Sequence, residues 1–453
     1  MNSFPLHRDG FLEASSRIGE RIVSEAFWHE HRCNWVGAEP MERQERGRRS
    51  ALIYKTLGPD LYSGTSGVAL FLAELFSVTQ ESAFRRTALG AIHHALASSD
   101  SVPSRSRLGL FTGWTGIALV ALRIATILDD RELDLCGRDR LSRVLAEQYD
   151  SGEFDIISGR AGAIAALVAL YTLLNDSFFL DSAIRLGHEL ITAADESDGK
   201  VSWRLTGVKT HHDLTGFSHG TAGVASSLLE LYSVTGIAAF RHAALGAFQY
   251  ERHWFNTAEG NWPDFRADLS LRTGKSTKFP CLCYWCHGAP GIALSRIRAY
   301  ELMHDEVSRT EALVALDTTR KSLISARVSG MGNYSLCHGV CGNAEALLYG
   351  AQILEQTRGQ DTAVILDVAH SGIERFLTRR SAWPCGTHTG ETPGFMLGLS
   401  GIGHHFLRLH DPSVPNIAIL RKQEWRSQSH AYRPVCETIE PPTLPFRENR
   451  ASA

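Results

Sequence analysis

The sequence has 453 residues, of which 43% are hydrophobic, 21% charged and 9% aromatic. This balance supports a large buried core and excludes wholesale disorder. The formal net charge is −3 and no block of Lys or Arg occurs, so we predict no nucleic-acid partner. The longest apolar stretch, 161–174, is too short to span a bilayer and predicts a buried helix, with no integral membrane segment. The N-terminus lacks an apolar signal core, which predicts a cytoplasmic protein.

A pair of glycines separated by two residues recurs seven times along the chain, and an apolar run follows each pair. The first glycines lie 46 to 68 residues apart and are Gly64, Gly113, Gly159, Gly220, Gly288, Gly339 and Gly398. Self-similarity at this spacing indicates a repeat architecture.

The run after each glycine pair is rich in Ala and Leu and largely free of Pro, which predicts a buried inner helix. A second, more amphipathic stretch follows and predicts an outer helix. The glycines then lie at the N-terminus of the inner helix, where they permit a positive φ angle or a close backbone approach. Seven helix pairs can form an open superhelix or close on themselves. A closed ring would bring all seven glycine turns around one cavity.

Three stretches depart from the repeats. We expect residues 1–50 to form an N-terminal helical extension to the repeat domain at 51–411. Residues 412–453 are expected to drape over the surface as a C-terminal tail. A long insertion at 256–285 separates the fourth and fifth repeats, and such long loops are often lids or binding loops.

Chemically active side chains precede three of the glycine pairs. The fourth repeat begins with His219, the fifth with Cys286-His287 and the sixth with Cys337-His338. Thiolate and imidazole ligands from adjacent repeats suit Zn²⁺, and three protein ligands leave the open fourth position of a catalytic site. Because they hold corresponding places just before their glycines, Cys286, Cys337 and His338 are the predicted zinc ligands.

Other interpretations of the cysteines remain open. The chain has nine, an odd number, and five of them fall between positions 281 and 341, so a disulfide framework is not expected. Cys281, Cys283 and Cys341 could complete a closed four-cysteine zinc site, or the cysteines could be buried small hydrophobes. The Cys283–His287 segment also matches the c-type haem attachment pattern, which requires export.

The chain resembles the LanC family of lanthionine synthetase cyclases over roughly residues 50 to 411. The motifs that carry the resemblance are TGFSHGTAGVA, YWCHGAPGIALSR, SLCHGVCGNAEALL and PGFMLGLSGIGHHFLRL. The resemblance implies an all-α protein, a double-layered α/α toroid of seven helix pairs, with one zinc ion per chain on Cys286, Cys337 and His338. It also implies that His219 is the acid/base residue and that Asp155, four residues before Gly159, is a cavity aspartate.

Two positions depart from the pattern of some family members. These members carry an Arg one turn before the first zinc cysteine and a Tyr directly after it, where this chain has Leu282 and His287. We expect His287 to stabilise an oxyanion or to support the site from behind.

The resemblance implies addition of peptide cysteine thiols to dehydroalanine or dehydrobutyrine, which closes lanthionine and methyllanthionine thioether rings. The implied substrate is a dehydrated precursor peptide with a leader, and the chain is too short to include a dehydratase domain, so a separate dehydratase is expected. One alternative is addition of glutathione or another small thiol to dehydroamino acids. Others are a prenyltransferase-like α/α ring, whose acidic pair would be Asp129-Asp130, and a non-enzymatic helical scaffold with structural zinc.

Overall fold

The computed structural model describes residues 9–40, 52–147, 153–206, 210–267, 279–330, 332–387 and 390–425. Within these ranges the protein is built from fourteen α-helices in two concentric layers, with three short two-stranded antiparallel hairpins at the periphery. The hairpins are β1 (Phe27–His29) with β2 (Arg32–Asn34), β3 (Val36–Pro40) with β4 (Leu52–Thr56), and β5 (Asp195–Ser197) with β6 (Lys200–Ser202). No described helix has both the length and the apolar character needed to cross a membrane.

Seven helices form the inner layer, and each begins directly after the first glycine of a repeat, as predicted. They are α2 (Thr65–Thr79), α4 (Trp114–Leu128), α6 (Arg160–Leu174), α8 (Thr221–Thr235), α10 (Ala289–Met303), α12 (Val340–Ile353) and α14 (Leu399–His410). Their side chains are buried almost throughout the first three turns, because neighbours cover these helices on all sides.

The outer layer pairs each inner helix with an amphipathic partner. Six partners follow their inner helix in sequence: α3 (Ser82–Ser98), α5 (Arg131–Ala146), α7 (Ser177–Thr192), α9 (Ala238–His253), α11 (Glu306–Ser329) and α13 (Arg358–Gly372). The seventh comes from the other end of the chain, since α1 (Asp9–Ser24) packs against α14. The Ser15 hydroxyl donates to the Gly403 carbonyl at 3.0 Å in this buried contact.

The second glycine of each repeat is a steric requirement. A Cβ atom on Gly116 would lie 1.8 Å from the Leu110 carbonyl oxygen, and corresponding atoms in the other six repeats would lie 1.8 to 2.4 Å from a carbonyl oxygen. The incoming chain therefore crosses over the first turn of its own helix at a distance that excludes any side chain. Gly288 additionally has a φ angle of 96°, in the region that favours glycine.

The ring is closed, and a circle of backbone hydrogen bonds joins its turns. Neighbouring inner helices contact one another around the circle, including α14 with α2. In each repeat, a residue two or three positions before the first glycine donates its backbone N–H. The acceptor is a backbone carbonyl in the glycine turn of the next repeat around the ring. The seven bonds are Tyr62 to Phe111, Phe111 to Ile157, Ile156 to Ser218, Phe217 to Cys286, Cys286 to Cys337, Cys337 to Met396 and Met396 to Tyr62, at 2.7 to 3.2 Å. The fold is thus the α/α toroid that the sequence predicted.

We expected the C-terminal tail to drape over the surface. Its start is instead buried against the ring. The side chains from Ile417 to Leu420 are at most 5% exposed, and Trp425 is fully buried. The Lys422 ammonium donates to the Ser233 carbonyl near the end of α8 at 3.0 Å, and the Trp285 indole N–H donates to the Ala418 carbonyl at 2.9 Å. The expectation failed because these apolar residues cover apolar surface inside the toroid. The Pro-rich part of the tail lies outside the described residues.

Buried ion pairs join neighbouring inner helices beyond their first turns. Arg123 of α4 lies 2.7 Å from Glu74 of α2, and Arg298 of α10 lies 3.0 Å from Glu230 of α8. A third pair, Arg408 with Glu345, also includes His405. Each carboxylate is at most 2% exposed and paired, which buried charges require.

Candidate functional site

A cavity of about 340 Å³ opens at the end of the toroid where the inner helices begin. Eight of its lining residues sit one or two positions before the first glycine of a repeat, and three come from the insertion at 256–285. The lining residues are Tyr62, Thr112, Ile157, Ser218, His219, Arg266, Leu282, Tyr284, Cys286, Cys337 and His338. In repeats four to six, two residues directly precede the first glycine, which makes six positions in all. Five of these six side chains line the cavity wall.

The two predicted sulfur ligands contact each other. The backbone N–H of Cys286 donates to the Cys337 carbonyl at 3.2 Å, so the two turns are adjacent. The hydrogen bond between the thiols lowers the pKa of Cys337 well below its usual range, and His338 lowers it further. The same bond raises the pKa of Cys286, as does burial. Of the two sulfur atoms, the thiolate is therefore favoured at Cys337.

His338 presents one nitrogen to this pair. Its Nε2 lies 3.1 Å from the Gly386 carbonyl oxygen, which can only accept a hydrogen bond. Nε2 therefore carries a proton, which leaves Nδ1 as the nitrogen that a metal ion would bind. A carbonyl partner of this kind fixes the orientation of metal-binding histidines.

The donor set fits zinc in its chemistry. Two thiols and an imidazole of fixed tautomer suit tetrahedral N/S coordination with one position left for a substrate. In the part of the chain that the structure describes, no three His, Cys, Asp or Glu side chains are arranged as a metal-binding group. Instead, hydrogen bonds link Cys286 to Cys337 and Cys337 to His338 in series. The zinc ligands thus stay a prediction.

Asp155 and His219 form a dyad across two repeats. The Asp155 Oδ2 atom lies 2.5 Å from Nδ1 of His219, while its Oδ1 atom accepts from the backbone N–H of Ser158 at 2.7 Å and of Gly159 at 3.1 Å. The carboxylate is buried, whereas the His219 side chain is 31% exposed and lines the cavity. Asp155 therefore fixes the tautomer of His219 with Nε2 left to accept or donate a proton. Asp155 also holds its own turn through the two backbone N–H groups that it accepts.

His287 lies behind the cavity wall and is not among the lining residues. Its ring stacks on that of His219 at 5.9 Å between centroids, and Nε2 lies 3.5 Å from the Ser218 hydroxyl. Burial lowers its pKa to about 3, and the nearby Arg266 contributes. The imidazole is therefore neutral at physiological pH and supports His219 by packing.

Arg266 and Tyr62 line the cavity but were not predicted as site residues. Arg266 follows Trp262 and Phe265, two buried aromatic side chains of the insertion, and its guanidinium forms a two-bond ion pair with the buried Asp264. Tyr62 is the first-repeat equivalent of Cys286 and Cys337, two positions before its glycine. This shared position could have identified Tyr62 as a cavity residue from the sequence. The sequence holds no such signal for Arg266, since the insertion has no counterpart in the other repeats.

The remaining cysteines of the cluster are engaged elsewhere. Cys281 lies 3.9 Å from the Asn256 amide nitrogen, and Cys283 lies 4.0 Å from the Thr318 carbonyl on α11. Cys341 is buried within α12, and this burial raises the pKa of its thiol. These described side chains do not assemble a closed four-cysteine site. The Asp129-Asp130 pair separates α4 from α5, far along α4 from the cavity, where Asp130 caps α5.

Comparisons with known proteins agree with this architecture. The chain is 24% identical to the nisin biosynthesis protein NisC of Lactococcus lactis subsp. lactis, over 63% of this chain and 72% of that protein. It is 21% identical to the lacticin 481/lactococcin biosynthesis protein LcnDR2 of the same organism, over 79% of this chain. Here the chain spans only 36% of the relative's length.

The solved structure of nisin cyclase shares the fold. It superposes with a TM-score of 0.63 and 18% identity, covering 91% of this chain and 97% of the cyclase. The profile of the family described as lanthionine synthetase C-like protein matches residues 55–419. This range includes all seven glycine turns and every predicted site residue, and the chain belongs to the lanthionine synthetase C-like protein family.

Proposed function

We propose that the protein is a zinc-dependent lanthipeptide cyclase, which adds peptide cysteine thiols to dehydroalanine or dehydrobutyrine. The observation that carries the proposal is the convergence of Cys286, Cys337 and His338 with the Asp155–His219 dyad on one cavity. Membership of the family and the similarity to lanthipeptide biosynthesis proteins support a cyclase-type enzyme.

The three proposed ligands define the chemistry available at the cavity. A zinc ion bound there would supply a site at which a substrate thiol is deprotonated at neutral pH. Two thiolates and one neutral imidazole balance the charge of Zn²⁺, so a third, substrate sulfur would keep much of its electron density. This donor set favours production of a nucleophile over hydrolysis.

The protein's own residues would move the proton. His219 Nε2 faces the cavity and can accept the thiol proton, while the buried carboxylate of Asp155 stabilises the imidazolium that forms. Attack of the sulfur on the β-carbon shifts the double-bond electrons into an enolate. His219 then returns its proton to the α-carbon, so the addition needs no further reactant. The second candidate, addition of a small thiol such as glutathione, uses the same steps.

The experiment that tests the proposal measures zinc per chain together with far-UV circular dichroism and turnover. We expect about one zinc in the wild type and its loss in Cys337→Ala with the helical signal retained. Cys341→Ala, four residues further along the same repeat, is the matched control and should keep the metal. Zinc-free wild type, or collapse of the fold when the metal is removed, would contradict the proposal and favour the scaffold with structural zinc.

Substrate assays separate the two enzymatic candidates. The wild type is incubated with a dehydrated precursor peptide that retains its leader, and separately with a dehydrated peptide plus glutathione. Ring closure, detected as loss of alkylatable thiols at constant mass, supports the cyclase. A mass increase by glutathione without ring closure supports the small-thiol enzyme instead. We expect the peptide to be supplied by a separate dehydratase.

A further inference from the structure

Arg266 places a positively charged group in the cavity wall from outside the repeats. Its Nε atom lies 3.0 Å from Asp264 Oδ1 and its Nη2 atom lies 2.8 Å from Oδ2. Among the described residues, the third nitrogen, Nη1, has no hydrogen-bond partner. Both N–H donors of Nη1 are therefore left for a ligand in the cavity.

Asp264 fixes the guanidinium. Its side chain is 3% exposed, and its backbone N–H donates to the Pro280 carbonyl at 2.8 Å, which joins the two described edges of the insertion. The carboxylate also accepts the backbone N–H of Arg266. A two-bond pair to a buried, anchored carboxylate gives an arginine one preferred orientation.

A cation in this place complements the one charge that the proposed reaction creates inside the cavity. When the sulfur attacks the β-carbon, the electron pair of the double bond moves onto the carbonyl oxygen of the dehydro residue. Donors aimed at such a developing oxyanion stabilise the transition state more than the ground state. His219 and the two thiols already act at the sulfur and the α-carbon, and none of these groups is a fixed cation.

We propose that Arg266 is a catalytic residue whose Nη1 donors bind the enolate oxygen formed during the addition. The inference rests on the proposed function and goes beyond it by assigning the oxyanion site to the 256–285 insertion. No atom is transferred in this step: the charge forms on oxygen, is stabilised there, and returns to carbon when His219 protonates the α-carbon.

Arg204 offers a matched control. It also pairs with a buried carboxylate, since Arg204 Nε lies 2.8 Å from Asp213 Oδ1, but its side chain is 53% exposed against 35% for Arg266, and it does not line the cavity. Arg204→Gln therefore removes an ion pair between an arginine and a buried aspartate without touching the proposed oxyanion site.

The first measurement is kinetic and compares Arg266→Gln, Arg266→Lys and Arg204→Gln. We expect Arg266→Gln to lower kcat by about 10² to 10³ with little change in KM, the effect of losing an oxyanion donor. Arg266→Lys should recover part of this loss, and guanidinium ion added to Arg266→Gly should restore activity with saturation. Arg204→Gln should match the wild type. Equal kcat for wild type and Arg266→Gln would overturn the inference.

The second measurement is independent of turnover and uses isothermal titration with two probes. N-acetylalaninate carries a carboxylate in place of the amide carbonyl whose oxygen becomes the enolate oxygen, and N-acetylalanine methylamide is its neutral counterpart. We expect Arg266→Gln to weaken the charged probe at least about tenfold relative to the neutral one, and Arg204→Gln to change neither. Unchanged binding of the charged probe would refute the oxyanion site. The expected binding pattern in a protein without turnover would instead refute the proposed function alone.

Discussion

The two ends of the toroid treat polar groups in opposite ways. Further along the inner helices from the glycine turns, Glu74, Glu230 and Glu345 are buried and each is paired with an arginine of the next inner helix. At the cavity end, His219 is partly exposed, the Cys286 and Cys337 thiols contact each other, and Arg266 has an unused pair of donors. The paired charges hold neighbouring helices in register, whereas the incompletely satisfied groups are available for a ligand. Stability and reactivity are therefore separated along the axis of the ring.

The largest effect on stability is expected at the paired end. Arg298→Met leaves Glu230 buried without its partner, and we expect the free energy of unfolding to fall by about 3–5 kcal/mol. Activity per folded molecule should not change. Urea denaturation followed by circular dichroism measures the first quantity. Arg17→Met, which removes an exposed pair with Glu13, is the control and should cost about 0–1 kcal/mol. Equal losses in both variants would show that burial of the pair is unimportant.

Two aspartates in equivalent positions test whether Asp155 affects activity through His219 or through the structure of its turn. Asp60 and Asp155 occupy the same place, four residues before the first glycine, and each accepts a backbone N–H three residues on, at 2.8 and 2.7 Å. Asp155 alone of the two also contacts a histidine. We expect Asp155→Asn to lower kcat by about 10²-fold, the contribution of a general acid/base, and Asp60→Asn to leave it near the wild-type value. Similar losses of activity in both would assign the effect to turn structure.

The smallest expected effect concerns pH and His404 of α14. Burial lowers the pKa of this imidazole to about 3 in the folded protein. In the unfolded chain the pKa is near 6.5, so the unfolded state binds a proton at a much higher pH than the folded state. As pH falls from 6.5 to 5, protonation of the unfolded state therefore removes about 2 kcal/mol of stability. Unfolding curves at pH 7 and pH 5 should show a smaller loss for His404→Gln than for the wild type. His242→Gln, at an exposed position, should behave like the wild type, and an unchanged loss in His404→Gln would contradict the assignment.

The repeats and much of the cavity could be predicted from the sequence for one physical reason. The crossing of the chain over each helix start excludes every side chain, so Gly67, Gly116 and their equivalents record the repeat directly in the sequence. Residues just before the first glycines, such as Cys337 and His219, then reach the cavity by symmetry.

The features that were missed depend on contacts between distant parts of the chain. Nothing in local periodicity places Arg266 over the cavity, because the insertion occurs once and Asp264 orients it only after folding. The burial of residues 417–420 depends on apolar surface that exists only inside the completed ring. The seventh helix pair combines α1 with α14, two helices from distant parts of the chain.

That pairing affects how the protein can be made. The contact between Ser15 and Gly403 spans 388 positions, and the hydrogen bond from Met396 to Tyr62 closes the circle of turns. A nascent chain therefore cannot complete the circle until Met396 has left the ribosome, and α1 must wait for α14 to be synthesised before it has its partner. Cys337 donates its N–H to Met396, so the sulfur pair acquires its support in the same final step. Loss of the last inner helix would therefore remove a direct support of the reactive thiols.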